Sequence, residues 1–163
     1  ADLLASIFGR HGECPLPVIA ACTPSDCYLA TYEASRIAIK YRTPVIFLSD
    51  GYLANGAEPW LIPASKDLPP IQHQQLTALN GVKPFQRDTE TLARPWVRIG
   101  TPGLEHRVGG LEKDSNTGNI SYDPDNHENM SHMRKAKIDG IAREISRTVI
   151  DGPESGDLLL LGW

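Results

Sequence analysis

Between two glycines near the start of the chain stand a cation, an imidazole and a carboxylate: Gly9-Arg10-His11-Gly12-Glu13. They approach a short apolar run, Pro17-Val18-Ile19-Ala20-Ala21-Cys22. Arginine presents a rigid donor fork to carboxylate or phosphate, so Arg10, His11 and Glu13 are candidates for contact with an anionic substrate. The alternative from the same residues is a salt-bridged turn. Other chemistry-bearing residues read more plainly. Cys14, Cys22 and Cys27 form no Cys-x-x-Cys pair, so the spacing of zinc or iron–sulfur ligands is missing, and buried apolar thiols are expected. Asp123-Pro124-Asp125-Asn126-His127-Glu128 lacks the Asp-x-Asx-x-Asx-Gly order of a calcium loop; turn and cap chemistry explains it and the surroundings of His106. Gly109-Gly110 and Gly118 build no nucleotide fingerprint. Arg134, Lys135, Lys137, Arg143 and Arg147 make one stretch basic, as a solvated or partner-facing helix surface would be.

The elements that must position these groups fall into two textures. Residues 1–56 are regular. The run 17–22 is a buried strand. Thr23-Pro24 opens a helix, with Thr23 as cap and Pro24 at the first helical position. Cys27, Ala30, Ala34, Ile37, Ala38 and Tyr41 recur at helical spacing, and Thr43-Pro44 ends the helix. Val45-Ile46-Phe47-Leu48-Ser49-Asp50 is the next strand. Strand, helix, strand is a βαβ unit and implies a parallel sheet, which two strands alone cannot stabilise. Residues 57–122 show no sustained period, and prolines interrupt every candidate element. Trp60, Phe85 and Trp96 are expected to anchor this extended segment on a partner surface, because it shows no core of its own. A helix is predicted over about 124–146, capped by Asp123, with Met130, Met133, Ile138, Ile141 and Ile145 on its apolar face. Leu158-Leu159-Leu160-Leu161 reads as the opening strand of a further domain, so the chain reads as an internal piece of a longer polypeptide.

Composition narrows the function. The 163 residues carry 16 Lys and Arg against 20 Asp and Glu, a net charge of −4, which argues against nucleic-acid binding. No apolar run approaches the roughly 18 residues that span a bilayer. The sparse, odd-numbered cysteines suit reduced thiols and a cytoplasmic setting.

The wording of several segments is more specific. Phe8-Gly9-Arg10-His11-Gly12-Glu13, Thr23-Pro24-Ser25-Asp26-Cys27 and Thr43-Pro44-Val45-Ile46-Phe47-Leu48-Ser49-Asp50-Gly51-Tyr52-Leu53-Ala54-Asn55-Gly56 resemble the alpha subunits of bacterial 2-oxoglutarate:ferredoxin oxidoreductases. So do Leu92-Ala93-Arg94-Pro95-Trp96, Gly100-Thr101-Pro102-Gly103-Leu104-Glu105-His106-Arg107, Gly109-Gly110-Leu111-Glu112 and Gly152-Pro153-Glu154-Ser155-Gly156-Asp157. The resemblance implies a thiamine-diphosphate enzyme that oxidatively decarboxylates a 2-oxoacid to an acyl-coenzyme A and passes electrons to ferredoxin. It implies an α/β fold: the βαβ portion of a pyrimidine-type, thiamine-diphosphate-binding parallel-sheet domain, then a long irregular linker and one helix. Residues 1–56 correspond to the last part of that domain and 57–150 to the linker. Residues 151–163 correspond to the first strand of a transketolase C-terminal-like domain. The family's catalytic Glu and its Tyr-Pro-Ile-Thr-Pro substrate motif are expected before Ala1, so no catalytic residue is assigned here. Thiamine diphosphate and Mg2+ belong to the whole complex, coenzyme A is the co-substrate, and the diphosphate grip and iron–sulfur cluster belong to the beta subunit and other chains. No cofactor or metal is expected on this chain alone. Pyruvate or branched-chain 2-oxoacids are alternative substrates, and a non-catalytic subunit-assembly role is the alternative for the piece itself.

Overall fold

The computed structural model describes residues 2–78, 81–146, 149–153 and 155–160. Its centre is the expected parallel α/β unit. Strand β1 (Val18–Ala20) pairs in parallel with β2 (Ile46–Leu48), in the register Val18 to Ile46, and α2 (Asp26–Tyr41) connects them. A seven-residue helix, α1 (Asp2–Phe8), precedes β1, and a single turn, α3 (Gly51–Ala54), follows β2. Asp50 caps that turn by accepting from the Tyr52 N–H at 2.6 Å. No periodicity in the sequence announces this first helix, because its apolar residues Leu4, Ile7 and Phe8 are exposed and the segment buries no face.

Helix α2 starts two residues later than Thr23-Pro24 suggested. A turn intervenes, with Thr23 O accepting from Cys27 N at 3.3 Å, and the Thr23 hydroxyl reaches over it to accept from Asp26 N at 3.2 Å. The cap chemistry is there, but it acts across a turn. At the other end Arg42 takes a left-handed backbone conformation, φ 48°, and Thr43 N donates back to Ala38 O at 3.2 Å, closing the helix before Pro44.

The last helix, α4 (Pro124–Ile141), begins as expected with Asp123 accepting from Asp125 N at 3.1 Å and Pro124 in the first turn. It ends five residues short of 146. Gly140 lies in its last turn, the next residues form tight turns, and Glu144 folds onto α2 against Arg36 at 3.3 Å and Lys40. Ile145 is accordingly half exposed instead of packed. The basic stretch is also less uniform than the sequence implied. Arg134 and Lys135 pair with Glu112 and Asp139, Lys137 turns inward, and Arg147 lies outside the described residues.

The core joins these pieces. Ile37, Tyr41 and Ile141 are buried together, with Ile19, Val45 and Ile138 packed around them. Buried residues within the segment correct the expectation that 57–122 has no core of its own. Phe85, Ala93 and Leu104 are buried, as is Met130 on α4. Two Asp-x-x-Thr turns hold the intervening loops. Asp88 and Asp114 each accept through one carboxylate oxygen from the backbone two and three residues on, and from the Thr91 and Thr117 hydroxyls. These bonds hold both carboxyls below the usual aspartate value. A short parallel pair, β3 (Gln75–Leu76) with β4 (Trp96–Val97), ties the segment together. Leu158–Leu160 carry no strand pairing, and the rest of the predicted terminal strand, residues 161–163, lies outside the described residues.

Candidate functional site

In parallel α/β sheets, ligands bind in the crevice outside the carboxyl ends of the strands. Here β1 runs into Cys22-Thr23-Pro24 and β2 into α3, and between them lies an open crevice of about 630 Å³. Its walls are Cys22, Thr23, Pro24, Tyr52, Leu53 and the 55–58 segment. Glu58 closes one side, its carboxylate accepting from Ser25 N; the Ser25 hydroxyl first, then this N–H and the Thr23 hydroxyl, hold its pKa below normal. Asp26 accepts from Cys22 N at 2.9 Å, and Asp50 is spent on its cap. Cys22 is exposed on this rim and Cys14 is exposed elsewhere, against the expectation of buried thiols; only Cys27 is half-buried. The strands are short, so the chain after β1 reaches the surface at once. A larger groove, about 770 Å³, runs beside β4 from Trp96 to Val108, and among the described residues Glu105 is the one carboxylate lining it.

Arg10, His11 and Glu13 do not line that crevice. They form the turn between α1 and β1. Arg10 Nε donates to Cys14 O at 2.7 Å and its Nη2 lies 3.4 Å from Ile7 O, so the side chain braces its own loop. His11 is exposed at φ 57°. Glu13 faces α4. Its Oε1 lies 3.4 Å from His127 Nε2, and its carbonyl accepts from Arg134 Nε at 2.9 Å. His127 Nδ1 meets Glu112 Oε2 at 2.8 Å, and Arg134 Nη1 reaches the other Glu112 oxygen at 3.4 Å. The structure thus brings together Glu13, Glu112, His127 and Arg134, a set that sequence spacing could not reveal.

The two carboxylates hold His127 protonated to a higher pH than a free histidine, Glu112 first and Glu13 second. A group whose folded pKa is raised contributes stability that is fully present below its ordinary value near 6.5, and this is lost as pH rises through the folded value. The melting temperature should therefore fall relative to a His127→Gln variant as pH is raised from about 6 to about 9. Parallel pH profiles for the two proteins would rule out this linkage.

The three aromatic anchors part ways. Phe85 is buried by its own chain, with Arg94 4.0 Å over its ring. Trp96 is half-buried, its indole N–H donating to Ile39 O at 3.0 Å. Trp60 remains 40% exposed beside Tyr28, and Leu61 and Ile62 continue it as an exposed apolar stretch.

The fold and the carboxyl-edge crevice define a parallel α/β domain with a ligand-sized crevice at its strand ends, and comparison with known proteins says to which family it belongs. The family pyruvate flavodoxin/ferredoxin oxidoreductase, thiamine-diphosphate-binding, matches residues 1–123, and the chain belongs to it. It is 51% identical over 164 residues to the 2-oxoglutarate oxidoreductase subunit KorA of Mycobacterium tuberculosis, covering 100% of this chain and 25% of that protein. It is 30% identical to the 2-oxoglutarate synthase subunit KorA of Archaeoglobus fulgidus, covering 85% of this chain and 33% of that one. Among solved structures it superposes on the 2-oxoglutarate:ferredoxin oxidoreductase from Magnetococcus marinus with 2-oxoglutarate, coenzyme A and succinyl-CoA bound. The TM-score is 0.84 at 30% identity, over 94% of this chain and 27% of that one. The chain spans between a quarter and a third of the length of these two curated relatives.

Do the described residues suit thiamine diphosphate? The cofactor needs a free carboxylate at its pyrimidine and a metal cradle at its diphosphate. The crevice offers apolar walls, Pro24 and Leu53, for an aromatic ring. Its lining carboxylate, Glu58, is occupied by the Ser25 N–H, the neighbouring Asp26 and Asp50 are likewise spent on backbone N–H groups, and among the described residues no group of three His, Cys, Asp or Glu converges to hold a metal. The residues present fit one wall of such a site and neither of its gripping ends.

Proposed function

We propose that this chain is part of the alpha subunit of a thiamine-diphosphate-dependent 2-oxoacid:ferredoxin oxidoreductase. The enzyme oxidatively decarboxylates 2-oxoglutarate: coenzyme A takes up the succinyl group, carbon dioxide leaves, and the electron pair released passes to ferredoxin. The observation that carries this reading is 51% identity over the whole chain to a 2-oxoglutarate oxidoreductase subunit. The superposition on an enzyme holding 2-oxoglutarate and coenzyme A supports it. Thiamine diphosphate would supply the carbanion chemistry; this chain contributes a wall of the pocket and the scaffold behind it. Mg2+, the diphosphate grip and the iron–sulfur cluster fall to other parts of the complex, the beta subunit among them. Residues 1–56 serve as the end of the pyrimidine domain, 57–150 as the connection, and 151–163 as the start of the next domain. Trp60, Leu61 and Ile62, exposed and apolar, suit a subunit contact. Free thiols at Cys14, Cys22 and Cys27 suit the cytoplasm. No described helix is long and apolar enough to cross a membrane.

The assembled complex tests this directly. Carbon dioxide release and ferredoxin reduction should depend on coenzyme A and favour 2-oxoglutarate over pyruvate; a preference for pyruvate or a branched-chain 2-oxoacid replaces the substrate. Arg10→Ala in that complex tests the substrate-proximal reading of the Arg10, His11 and Glu13 loop. If Arg10 touches the substrate carboxylate, the KM should rise roughly ten- to a hundredfold, the loss of a charge-assisted hydrogen bond worth about 1.5–3 kcal/mol. Unchanged kinetics with a lower melting temperature would leave Arg10 as the brace of its own turn.

A further inference from the structure

Three distant parts of the chain meet at one imidazole. Glu13 comes from the turn between α1 and β1, Glu112 from the 57–122 segment and His127 from the first turn of α4. A carboxylate oxygen faces each ring nitrogen, Glu112 at 2.8 Å from Nδ1 and Glu13 at 3.4 Å from Nε2. Carboxylates only accept, so both contacts are hydrogen bonds only while both ring nitrogens carry protons. The neutral ring has one N–H, and its other nitrogen would turn a lone pair onto a carboxylate. Among the described residues these two carboxylates are the charged groups that act on the ring. Arg134 stands behind Glu112 at 3.4 Å, and Arg87 also feels the Glu112 charge.

The two contacts are unequal. The Glu112 side chain is 23% exposed and its backbone is fixed. Its carbonyl accepts from Ser121 N at 3.1 Å, and the carbonyl of the next residue accepts from Asn126 Nδ2, on α4, at 2.9 Å. The Glu13 side chain is 64% exposed and stands on a turn. That turn is strained. His11 and Gly12 are both left-handed, φ 57° and 88°, and a non-glycine residue stays there only when its surroundings hold it. Arg10 braces the turn from within, on Cys14 O. Glu13 ties it across to α4, through its carboxylate on His127 and its carbonyl on Arg134 Nε at 2.9 Å. We propose that His127 is a proton-operated clasp on this turn. Protonated, it holds Glu13 against α4; neutral, it keeps the shorter bond to Glu112 and releases Glu13, so that residues 9–14 relax about the remaining Arg134 contact. The two carboxylates keep the ring charged beyond the ordinary histidine value near 6.5, so the clasp is closed up to that pH and opens as pH rises further. The device is independent of the reaction assigned above.

The test uses the complete subunit in its assembled complex. Amide hydrogen exchange is followed by mass spectrometry at about pH 6 and about pH 9, with labelling times scaled for the intrinsic pH dependence of exchange. Protection of a peptide spanning residues 9–16 should fall about two- to fivefold between the two, the worth of one exposed charged pair. Protection of β1 and β2 should not change. His127→Gln and Glu13→Gln should each leave the turn as open at the lower pH as wild type is at the higher, and each should lose the pH response. His132→Gln, an exposed histidine further along the same helix, should keep it. Equal protection of the wild-type turn at both pH values overturns the proposal. So does a pH response that survives in His127→Gln or in Glu13→Gln. If His127→Gln loosens β1 as well, Glu13→Gln decides, because its exposed side chain lies outside the core.

Discussion

Ile37→Ala is expected to destabilise the protein by about 2–5 kcal/mol, the cost of emptying a fully buried aliphatic site. Ile37 is 0% exposed and lies where α2 meets β1, the approach to β2 and α4. Tyr41 is its neighbour on α2, Ile19 comes from β1, Val45 from the approach to β2, and Ile138 and Ile141 from α4. Truncation therefore loosens the βαβ unit and its docking to α4 together. The wall cannot collapse easily, because Tyr41 is fixed from outside. Burial and its bond to Glu144 push the Tyr41 phenol up to about 12, and Glu144 is itself held by Arg36 and Lys40. A domain has only about 5–15 kcal/mol of stability in total, so the loss should show as a clear drop in denaturation midpoint and soluble yield. Ile37→Val, which removes one methyl, should cost about 0.5–1.5 kcal/mol. If Ala and Val variants unfold at the same denaturant concentration, the core described here does not carry the stability of the fold.

Gly118→Ala should cost nearly as much, by the opposite route. Gly118 has φ 76°, and a methyl built on it would sit 2.4 Å from Cδ2 of Phe85. The left-handed backbone costs a non-glycine residue roughly 1–2 kcal/mol, and overpacking a filled site about 1–3 more. Phe85 cannot simply swing away. Its backbone N–H is bonded to Asn116 O at 3.0 Å, its ring meets the edge of His106, and Arg94 covers it. The sum, about 2–5 kcal/mol, is separable by a double-mutant cycle. With Phe85→Leu in place, Gly118→Ala should retain only the backbone part. An equal cost in both backgrounds would mean that the ring is not what glycine makes room for.

The sequence by itself determined the local grammar of this protein. An apolar run, a helical stripe ended by Thr43-Pro44 and a second apolar run sufficed for the parallel βαβ unit. Asp123-Pro124 sufficed for the start of α4, since caps and proline act through neighbouring backbone. The family was legible because several segments in order, from Phe8 to Asp157, carry it. What lies far apart in sequence was decided only by the tertiary structure. Phe85 and Trp96 looked like free anchors because Gly118, against which the Phe85 ring packs, and Ile39, which accepts from Trp96, are 33 or more residues away. Lys137 looked solvated because its own helix is polar, and the arginines that crowd it come from three other places in the chain. Glu13 looked like part of a local turn, yet its carboxylate faces His127 across 114 positions. The length of α4 followed the same rule. Its pattern continued to Ile145, but the docking of Glu144 onto α2 ended it at Ile141. Periodicity reports which face of an element is apolar; only packing fixes what covers that face, and which charges are left to find their partners elsewhere.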